Sequence, residues 1–489
     1  MHFFKKHSIN VATAILHFLL IGLIPFEHQH QHFPFTAEAG ELACIDYDES
    51  ENTITVNCNA TFSDVVQAIN NPDILEQEPI RVSGIANGQY ILNANLEVAD
   101  GVTFAMTSAG NGLQYLKLAG ENGIIVYGQI LIDGVRITSW DMDEEDIIQQ
   151  NVNGTIRRGY VQFAASEGSQ ILNSEFGYLG DVEPGRRGFD LFGGGGPSHD
   201  MVINNSIFHN MWIAFYSNGA YNITVDGSEY YDNIQYSLDP HTTTHDMVIR
   251  NNWIHDNPIG PICSDRCWDI LIEGNLIENT ETSAIFFSRN MTDSIARNNH
   301  VINARTGVQV SESPNNQIYN NTIEGATREG IGLFNPELPD DGLTEGNLVY
   351  DNVISNSDIG IRATRSHNNI VQNTIFSDIE SSEYRLLSDS SLTIRGQQFD
   401  DDEGVLITEG DSQVTGSTVE IVNSGVIEVR EGDGDDDDDE DNEEEGDSFN
   451  TDIQPYRRTL DDDDSITVTS SSESSREISD GISSGAPLV

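Results

Sequence analysis

Apolar and polar residues alternate over short distances through most of residues 165–380. Typical stretches are MVIRNNWIHDN, ILIEGNLIENT, SIARNNHVINA and LVYDNVISN, in which β-branched and other apolar residues alternate with polar ones around a polar pair. Alternation of this kind predicts short β-strands with one buried face. The polar pair predicts a tight turn between two strands, because Asn tolerates left-handed backbone angles. No part of this region has helical periodicity of useful length.

This unit recurs at a nearly constant interval. The turn residue, Asn or a Gly in its place, is found at Asn173, Asn205, Gly227, Asn252, Asn275, Asn299, Asn321, Asn352 and Asn373. Six of the eight successive intervals are 21–25 residues, and such a period indicates stacked supersecondary units. The longer interval after Asn321 is explained by a loop insertion at 333–343, since insertions into solenoids usually form loops.

The repeat predicts an all-β fold, a single-stranded right-handed parallel β-helix (a solenoid), over residues 113–395. Leucine-rich repeats share the period but need a Leu-and-Asn consensus that is absent, and propeller blades are about twice as long. Residues 60–71 have apolar spacing of three to four and an early Asp, which predicts a short helix. We expect that helix to cap the open end of the stack, within an N-terminal capping region at 40–112.

Both ends of the chain are set apart by composition. Residues 1–39 begin with two lysines and an apolar run and finish with a small-residue AEA site, the order of a secretory signal peptide. An uncleaved anchor is the alternative. Residues 396–430 are a short β-like extension, and residues 431–489 form an acidic tail that we expect to be disordered. The sequence therefore predicts export to the periplasm or the extracellular space, with no membrane span after removal of the signal.

The formal net charge is −57, from 80 Asp and Glu against 23 Lys and Arg. Such acidity argues against nucleic acid as a partner. An oxidising compartment permits disulfides, and the four cysteines predict two of them, Cys44–Cys58 and Cys263–Cys267. The second pair is a weak zinc signal, because a zinc site needs two further ligands. We predict no required cofactor; the acidic loops leave calcium open, but no EF-hand-like motif supports it.

The stretch YSLDPH (236–241) places a phenol, a carboxylate and an imidazole within six residues. Alternate residues of an extended segment share a face, so Asp239 and His241 are expected to project together. A bend would bring Tyr236 alongside them. The alternative interpretation is that all three are ordinary turn and ladder residues of a β-helix.

The repeat also predicts which residues stack beside this stretch. Asp265 follows His241 by 24 residues, so Asp265 and Arg266 are expected next to it, and Arg289 one coil further. A base beside a guanidinium suits proton abstraction next to a carboxylate. The Arg neutralises the carboxylate and stabilises enolate-like charge, while a neutral His takes the proton. Return of a proton to the opposite face inverts the carbon; loss of a leaving group at C4 would be β-elimination.

YSLDPH, with the preceding residues 210–235, resembles the mannuronan C5-epimerases of alginate synthesis, especially the bacterial periplasmic type. Those enzymes carry a Tyr-x-x-Asp-Pro-His motif on a right-handed β-helix, and the similarity extends more thinly over 113–380. The resemblance implies conversion of β-D-mannuronate to α-L-guluronate within a polymer. It also implies roles for three residues: His241 as the base at C5, Asp239 as a support for the base or the substrate, and Tyr236 as the proton donor.

The resemblance implies in addition an Arg that neutralises the substrate carboxylate. Coil spacing assigns this role to Arg266, with Asp265 as a functional acid beside it, whereas the local motif SRNMTD assigns it to Arg289. The residues expected to bind substrate along the groove are Arg157, Arg158, Arg186, Arg187, Trp212 and Tyr216. The chain departs from the periplasmic type directly after DPH, where Thr242 replaces a further acidic residue. It also lacks a clear counterpart of a substrate-binding Lys, for which Arg186 and Arg187 are the candidates.

Three functions remain open at this point. The leading one is an epimerase, an isomerase that acts as a monomer on an anionic polysaccharide. A polyuronate lyase would use the same residues for β-elimination. A non-catalytic carbohydrate-binding or periplasmic accessory β-helix protein would share the repeat without needing the Tyr-Asp-His set, and fold alone does not decide among them.

Overall fold

The structure is a computed structural model of the 489-residue chain. It describes residues 42–78, 88–149, 154–192, 196–336, 342–387 and 390–395, and the backbone of four later strands at 404–408, 415–422, 427–431 and 465–470. The predicted signal peptide lies outside the described residues, and so does the predicted tail apart from Glu431 and Ser465–Ser470. None of the helices in the described ranges has the length and hydropathy required to cross a bilayer.

Each coil contributes up to three short strands, and strands of successive coils pair in parallel as three ladders. The first ladder consists of β3 (Ala60–Thr61), β7 (Thr103–Thr107), β10 (Gln129–Asp133), β13 (Gln170–Leu172), β16 (Val202–Asn204), β19 (Tyr221–Asp226), β22 (His245–Arg250), β25 (Trp268–Glu273), β27 (Ile295–Arg297), β29 (Gln317–Tyr319), β32 (Leu348–Tyr350), β34 (Asn369–Gln372), β36 (Ser391–Arg395), β38 (Thr415–Val422) and β40 (Ser465–Ser470).

The second and third ladders follow in each coil. The second consists of β5 (Gln89–Leu92), β8 (Tyr115–Ala119), β11 (Arg136–Trp140), β14 (Glu175–Gly177), β17 (Ile207–His209), β20 (Glu229–Tyr231), β23 (Trp253–His255), β30 (Thr322–Glu324) and the first halves of β26 (Leu276–Ser288), β28 (His300–Ser311), β33 (Val353–Thr364) and β35 (Ile375–Leu387). The third consists of β2 (Thr53–Val56), β6 (Asn95–Val98), β9 (Gly123–Val126), β12 (Tyr160–Phe163), β15 (Gly188–Leu191), β18 (Ile213–Asn218), β21 (Tyr236–His241), β24 (Ile259–Ser264), β31 (Glu329–Phe334), β37 (Gly404–Thr408), β39 (Ile427–Glu431) and the second halves of those four long strands.

The predicted parallel β-helix is confirmed, and its ladders run beyond the predicted bounds. Parallel pairing begins at β2, inside the region 40–112, and continues through β37, β38 and β39 of the predicted extension. Two antiparallel pairs complete the N-terminal part, in which β1 (Ile45–Asp48) pairs with β2 and β4 (Leu75–Gln77) pairs with β5. YSLDPH is strand β21 of the third ladder.

A short helix packs on the first coils where the sequence predicts one. Helix α1 (Phe62–Ile69) buries Phe62 and Val65 in the core. Its acidic residue, Asp64, is the third of the helix and accepts hydrogen bonds from the Thr61 backbone N–H at 2.8 Å and hydroxyl at 2.7 Å, which satisfies a free N-terminal donor. The other helical segments of the described residues are α2 (Ser108–Asn111) and a 3₁₀ turn at Leu42–Cys44.

The core is one continuous apolar cluster along the inside of the coils. Alternate strand residues point inward, so each coil adds apolar side chains above those of the coil before it. Part of this stack is aromatic, with ring centroids 4.8–5.5 Å apart among Phe163, Phe176, Phe189, Phe208 and Tyr230. Contacts between equivalent residues of neighbouring coils therefore hold the interior together.

A column of buried Ser and Asn side chains joins the coils at the turn between the first and second ladders. Its members are Ser174, Ser206, Ser228, Asn252, Asn275, Asn299, Asn321 and Asn352. Each side-chain oxygen after the first accepts the backbone N–H of the column residue in the preceding coil, at 2.9–3.2 Å. The Asn amides also donate to backbone carbonyls of earlier strands. Buried polar groups are thereby paired, and the column fixes the alignment of the coils.

The turn residues predicted from the repeat fall at two different positions of the polar pair. Five of them belong to the column, each directly after the left-handed residue: Asn252, Asn275, Asn299, Asn321 and Asn352. The prediction of a left-handed turn residue is confirmed at the other four. Asn173, Asn205, Gly227 and Asn373 have positive φ angles of 50°, 50°, 63° and 50°. After the first three of these residues, the next residue in the chain is a Ser that occupies the column position: Ser174, Ser206 or Ser228. The polar pair thus has two separate functions: its first residue takes the left-handed turn conformation, and its second joins the coils. Counting Asn residues alone mixed the two positions.

The two predicted disulfides have different outcomes. Cys44 and Cys58 are bonded, with Cα atoms 5.8 Å apart, and pin the start of the described chain. The predicted Cys263–Cys267 disulfide is wrong, because both cysteines are free and buried in the core. Cys263 lies in β24 and Cys267 lies beyond the corner that follows it, where its thiol donates to the carbonyls of Ser264 at 3.1 Å and Pro240 at 3.6 Å. These cysteines therefore act as small core residues under β21.

We predict that Asn299→Ala lowers the free energy of unfolding by roughly 2–5 kcal/mol, because it leaves the buried N–H of Asn275 and the carbonyl of Ile272 without partners. Chemical denaturation followed by circular dichroism measures this change. The control is Asn303→Gly, which removes an exposed Asn with φ of 55° in a row where Gly325 already occurs. Equal losses for both variants would contradict a special role of the column.

Candidate active site

Strand β21 lies between β18 and β24, and the pairing places its residues in defined rows. Asn218, His241 and Ser264 form one row, and Tyr216 pairs with Asp239 in another. Leu238 points into the core and is fully buried. His241 is half-buried at the end of the strand, with its ring 5.6 Å from that of Tyr216. His241 is thus partly exposed at the end of the strand, whereas Asp239, two residues before it, is buried.

The Nδ1 atom of His241 lies 2.6 Å from the hydroxyl of Thr242, and that hydroxyl donates to Asp265 Oδ2 at 2.9 Å. A threonine hydroxyl has one proton, which is committed to a carboxylate that only accepts. Its oxygen must therefore accept the hydrogen bond from the imidazole, so the proton is on Nδ1. The lone pair is consequently on Nε2, and this is the tautomer required of a base acting through Nε2.

Asp265 and Arg266 lie next to His241 by way of this hydroxyl, at the corner after the third ladder. Ser264 pairs directly with His241, and the two predicted residues follow it. Arg266 Nη2 lies 2.7 Å from Asp265 Oδ1, and its side chain is 54% exposed. Burial raises the pKa of Asp265, but the hydrogen bonds from Arg266 and Thr242 outweigh it, so the pKa lies below its usual value. Asp265 is therefore a carboxylate at neutral pH.

Arg289 lies one coil further along the same corner, as the sequence predicts. Its carbonyl accepts the backbone N–H of Arg266 at 2.8 Å. Arg266 and Arg289 both have left-handed backbones, with φ angles of 63° and 53°. Both candidate arginines thus stand on the corner that borders the ladder, and Arg266 is the one in contact with the His241–Thr242–Asp265 chain.

A buried acidic row lies on the opposite side of His241. Asp190, Tyr216 and Asp239 occupy equivalent positions in β15, β18 and β21. The Arg187 guanidinium lies over the Tyr216 ring, 3.9 Å from its centroid, and 3.6 Å from Asp190 Oδ2. Asp190 and Asp239 are 0% and 1% exposed. A phenol, a guanidinium and two carboxyl groups are thereby packed together beside the imidazole.

Burial raises the pKa of both carboxyl groups, to about 7 for Asp190 and about 8 for Asp239. Arg187 lowers both values without cancelling the desolvation, and the nearby Asp190 further raises that of Asp239. Ionisation of both acids is unfavourable, because the two negative charges repel each other and share a single guanidinium. At neutral pH this row therefore retains a proton beside His241.

Tyr236 and Trp212 belong to a separate apolar cluster on the outside of the third ladder, with Ile213, Tyr216 and Ile262. Tyr236 is 9% exposed and pairs with Ile213 and Ile259. The phenol in ring contact with His241 is that of Tyr216. Trp212 is only 1% exposed, so its predicted direct contact with substrate is wrong. Its bulk packs beneath the site.

Three predicted substrate-binding arginines are engaged elsewhere. Arg158 is fully buried and donates to the carbonyls of Gly180, Asn210 and Leu179 at 2.9–3.1 Å, so the prediction that it binds substrate is wrong. Arg157 and Arg186 both pair with Asp181. Arg157 also pairs with Glu183, and Arg186 with Glu121. Arg187 is the member of the set that lies at the site.

Asp190 was not predicted from the sequence, and Thr242 stood out there only as a departure from a family pattern. A usable signal existed for Asp190, since it precedes Tyr216 by 26 residues and Tyr216 precedes Asp239 by 23, both close to the repeat. Thr242 carries no such signal, because its hydrogen bonds depend on the corner.

Among the described residues, Glu167, His199 and Asp200 bring potential metal-ligand atoms within 4.8 Å of one another, away from β21.

Comparison with known proteins supports the sequence resemblance. Residues 192–337 match the family model of the right-handed beta helix region. The chain is 23% identical over 271 residues to a mannuronan C5-epimerase of Pseudomonas syringae pv. tomato, covering 52% of this chain and 49% of the relative. It is also 23% identical over 236 residues to one of Pseudomonas putida, covering 46% and 45%. The resemblance to the mannuronan C5-epimerases is confirmed. The chain spans about half the length of these relatives.

A solved structure of similar shape is that of the periplasmic alginate epimerase AlgG. It superimposes with a TM-score of 0.56 at 18% identity, covering 77% of this chain and 85% of the other. This likeness establishes a common right-handed parallel β-helix fold. The region matched by the family model includes β21 and the coils on both sides of it.

We predict that Asp190→Asn makes stability less dependent on pH. The raised pKa means that the folded chain binds a proton that the unfolded chain has released between about pH 4 and pH 7. That stabilisation is complete below the unfolded pKa and is lost as pH rises through about 7. The variant should therefore gain thermal stability relative to the unmodified protein from pH 5 to pH 8. A melting-temperature difference that is constant across this range would contradict the buried-acid assignment.

Proposed function

We propose that this chain catalyses C5 epimerisation of β-D-mannuronate to α-L-guluronate within an alginate-like polyuronate. The observation that carries the proposal is the half-buried His241, whose Nδ1 proton is held by Thr242 and whose neighbour Asp265 is paired with an exposed guanidinium. The resemblance to mannuronan C5-epimerases in the same stretch agrees with it. Export to the periplasm or extracellular space is part of the proposal, as is an anionic polysaccharide substrate.

The arrangement accounts for the first half of the reaction. The proton on C5 is weakly acidic because its removal adds a second negative charge to a carboxylate that is already ionised. Arg266, which is exposed and stands at the corner, neutralises that carboxylate and stabilises the enolate-like intermediate. Nε2 of His241 then takes the C5 proton as a general base. Binding the sugar across these two groups sets the orientation that proton transfer requires.

The second half returns a proton to the other face of C5. Two phenols are candidates: Tyr236, implied by the motif, and Tyr216, which is in ring contact with His241. Burial raises the pKa of Tyr216, and Asp239 and Asp190 raise it further, so its phenol remains protonated at neutral pH. The proton held by the Asp190–Tyr216–Asp239 row favours Tyr216 as the donor.

A polyuronate lyase is the alternative that the same groups allow. It requires that the C4 oxygen depart after C5 is deprotonated, whereas an epimerase reprotonates C5 first. A lyase would produce unsaturated chain ends that absorb in the ultraviolet, and an epimerase would not. Proton NMR of polymannuronate treated in D2O distinguishes the two, because epimerisation yields guluronate signals with deuterium at C5. Unchanged polymer, without deuterium, would contradict both enzymatic functions.

We predict that His241→Gln reduces the rate of guluronate formation roughly 10²–10⁴-fold, because it removes the general base while keeping the size of the side chain. The control is His245→Gln, which alters a histidine stacked between Tyr221 and Trp268 in the first ladder. The control should retain the rate of the unmodified protein. Comparable losses in both would show that histidine replacement disturbs the coils generally.

We predict that Arg266→Ala reduces kcat more than Arg289→Ala does, since Arg266 contacts the chain of groups that includes the base and Arg289 does not. Loss of one electrostatic contact to a developing charge costs roughly 10²–10³-fold in kcat. NMR time courses on polymannuronate with each variant give the comparison. A larger effect at Arg289 would transfer the neutralising role to that residue.

A further inference from the structure

The corner between β21 and β22 contains two threonines with left-handed backbones. Thr242 and Thr243 have φ angles of 35° and 59°. A β-branched residue in this region is strained, whereas Asn, Asp and Gly tolerate it at other turns of the coils. Strained residues of this kind persist where the surroundings hold them, and they cluster at functional sites. The conformation therefore calls for an explanation in terms of what the Thr242 side chain does.

The Thr242 hydroxyl connects two groups that the backbone keeps in different coils. It accepts from Nδ1 of His241 at 2.6 Å and donates to Asp265 Oδ2 at 2.9 Å. The other carboxylate oxygen of Asp265, Oδ1, is 2.7 Å from Arg266 Nη2. One continuous chain of hydrogen bonds thus runs from the proposed base to the proposed carboxylate-binding guanidinium.

The two ends of this chain respond to the same event. While Arg266 is paired with Asp265, its positive charge compensates the carboxylate and weakens the carboxylate as an acceptor. Arg266 is 54% exposed, and Asp265 is 17% exposed and held by the hydroxyl, so the guanidinium is the more mobile partner. A uronate carboxylate that binds Arg266 leaves more negative charge on Asp265. That charge polarises the Thr242 hydroxyl towards it and stabilises positive charge on the imidazole.

We propose that Thr242 is a positioning residue that transmits the state of Arg266 to His241, so that capture of a uronate carboxylate by Arg266 makes the imidazole a stronger base. This inference rests on the proposed function for its substrate. In the empty site the base is held weak, and it is strengthened when a sugar carrying a carboxylate is in place. A neutral sugar lacks the group that draws Arg266 away, so the same device selects for uronates over neutral hexoses.

A histidine titration tests the coupling without any substrate. Arg266→Ala should raise the pKa of His241, measured by NMR, because it removes the charge that compensates Asp265. In the Thr242→Val background the same Arg266→Ala change should have a clearly smaller effect, since Val lacks the relay hydroxyl and is close in shape to Thr. The difference between the two effects is the coupling carried by the hydroxyl. Equal effects in both backgrounds overturn the proposal.

The titration compares four proteins: the unmodified chain, Arg266→Ala, Thr242→Val and the double variant. The other charged groups near the imidazole are the same in all four. They are Asp239 on its own strand, Tyr216 and Arg187 from the preceding coils, and Arg289 from a following coil. Their direct effects on His241 therefore cancel in the difference. Nitrogen-15 shifts of the ring add a second readout, because loss of the hydroxyl should release the preference for the Nδ1–H tautomer. Thr242→Ser, which keeps the hydroxyl, should restore both the tautomer and the coupling.

Activity measurements test the same relay in the presence of substrate. Thr242→Val should lower kcat about 10–100-fold, the usual cost of removing an outer partner that orients a functional group. It should also shift the acidic limb of the kcat profile to lower pH more than that of kcat/KM, because the relay acts most strongly when Arg266 is bound to substrate. Equal shifts in both profiles overturn the proposal. Absence of guluronate with the unmodified protein contradicts the proposed function, whereas absence of coupling in the titration overturns the relay regardless of activity.

Discussion

The alignment of one coil on the next is the constraint on which the rest of the structure depends. Parallel ladders, the stacked aromatic core and the Ser/Asn column all act between equivalent residues of neighbouring coils. A coil that slipped by one residue would bury polar side chains and break the column at once. Because slippage is prevented, residues more than 20 positions apart in sequence become neighbours at fixed distances. Both the acidic row and the chain from His241 to Arg266 are products of that alignment.

The same alignment addresses a difficulty raised by charge. A chain with a formal charge of −57 repels the proposed polyuronate substrate at long range, so binding of that substrate depends on short-range contacts. Screening limits the repulsion to roughly 8 Å at physiological ionic strength. The candidate site contains Arg187 and Arg266, and Arg289 lies on the same corner as Arg266. The raised pKa values of Asp190 and Asp239 keep part of their negative charge neutralised. The local field at His241 is therefore less negative than the composition implies.

The fold could be predicted from the sequence because the spacing of apolar and polar residues repeats with each coil. The prediction was less exact about the turns, since Asn serves both as the left-handed residue and as the column residue, and only the hydrogen bonds separate Asn173 from Ser174. The Cys44–Cys58 disulfide is confirmed, but the prediction of a Cys263–Cys267 disulfide was wrong. A spacing of four residues fits a disulfide across a turn, but here both thiols point into the core on either side of a corner.

The site shows where counting along a repeat reaches its limit. A count of 24 from His241 arrives at Asp265, yet the ladder partner of His241 is Ser264, and Asp265 belongs to the corner. Ladder residues such as Tyr216 and Asp239 are fixed by pairing on both sides, whereas the corner residue Arg266 has a side chain that is 54% exposed. This division suits the proposed reaction, in which a base held by the ladder acts beside a guanidinium that is accessible to substrate. The strained Thr242 stands at the boundary between the two parts, which is the position from which a hydroxyl can connect them.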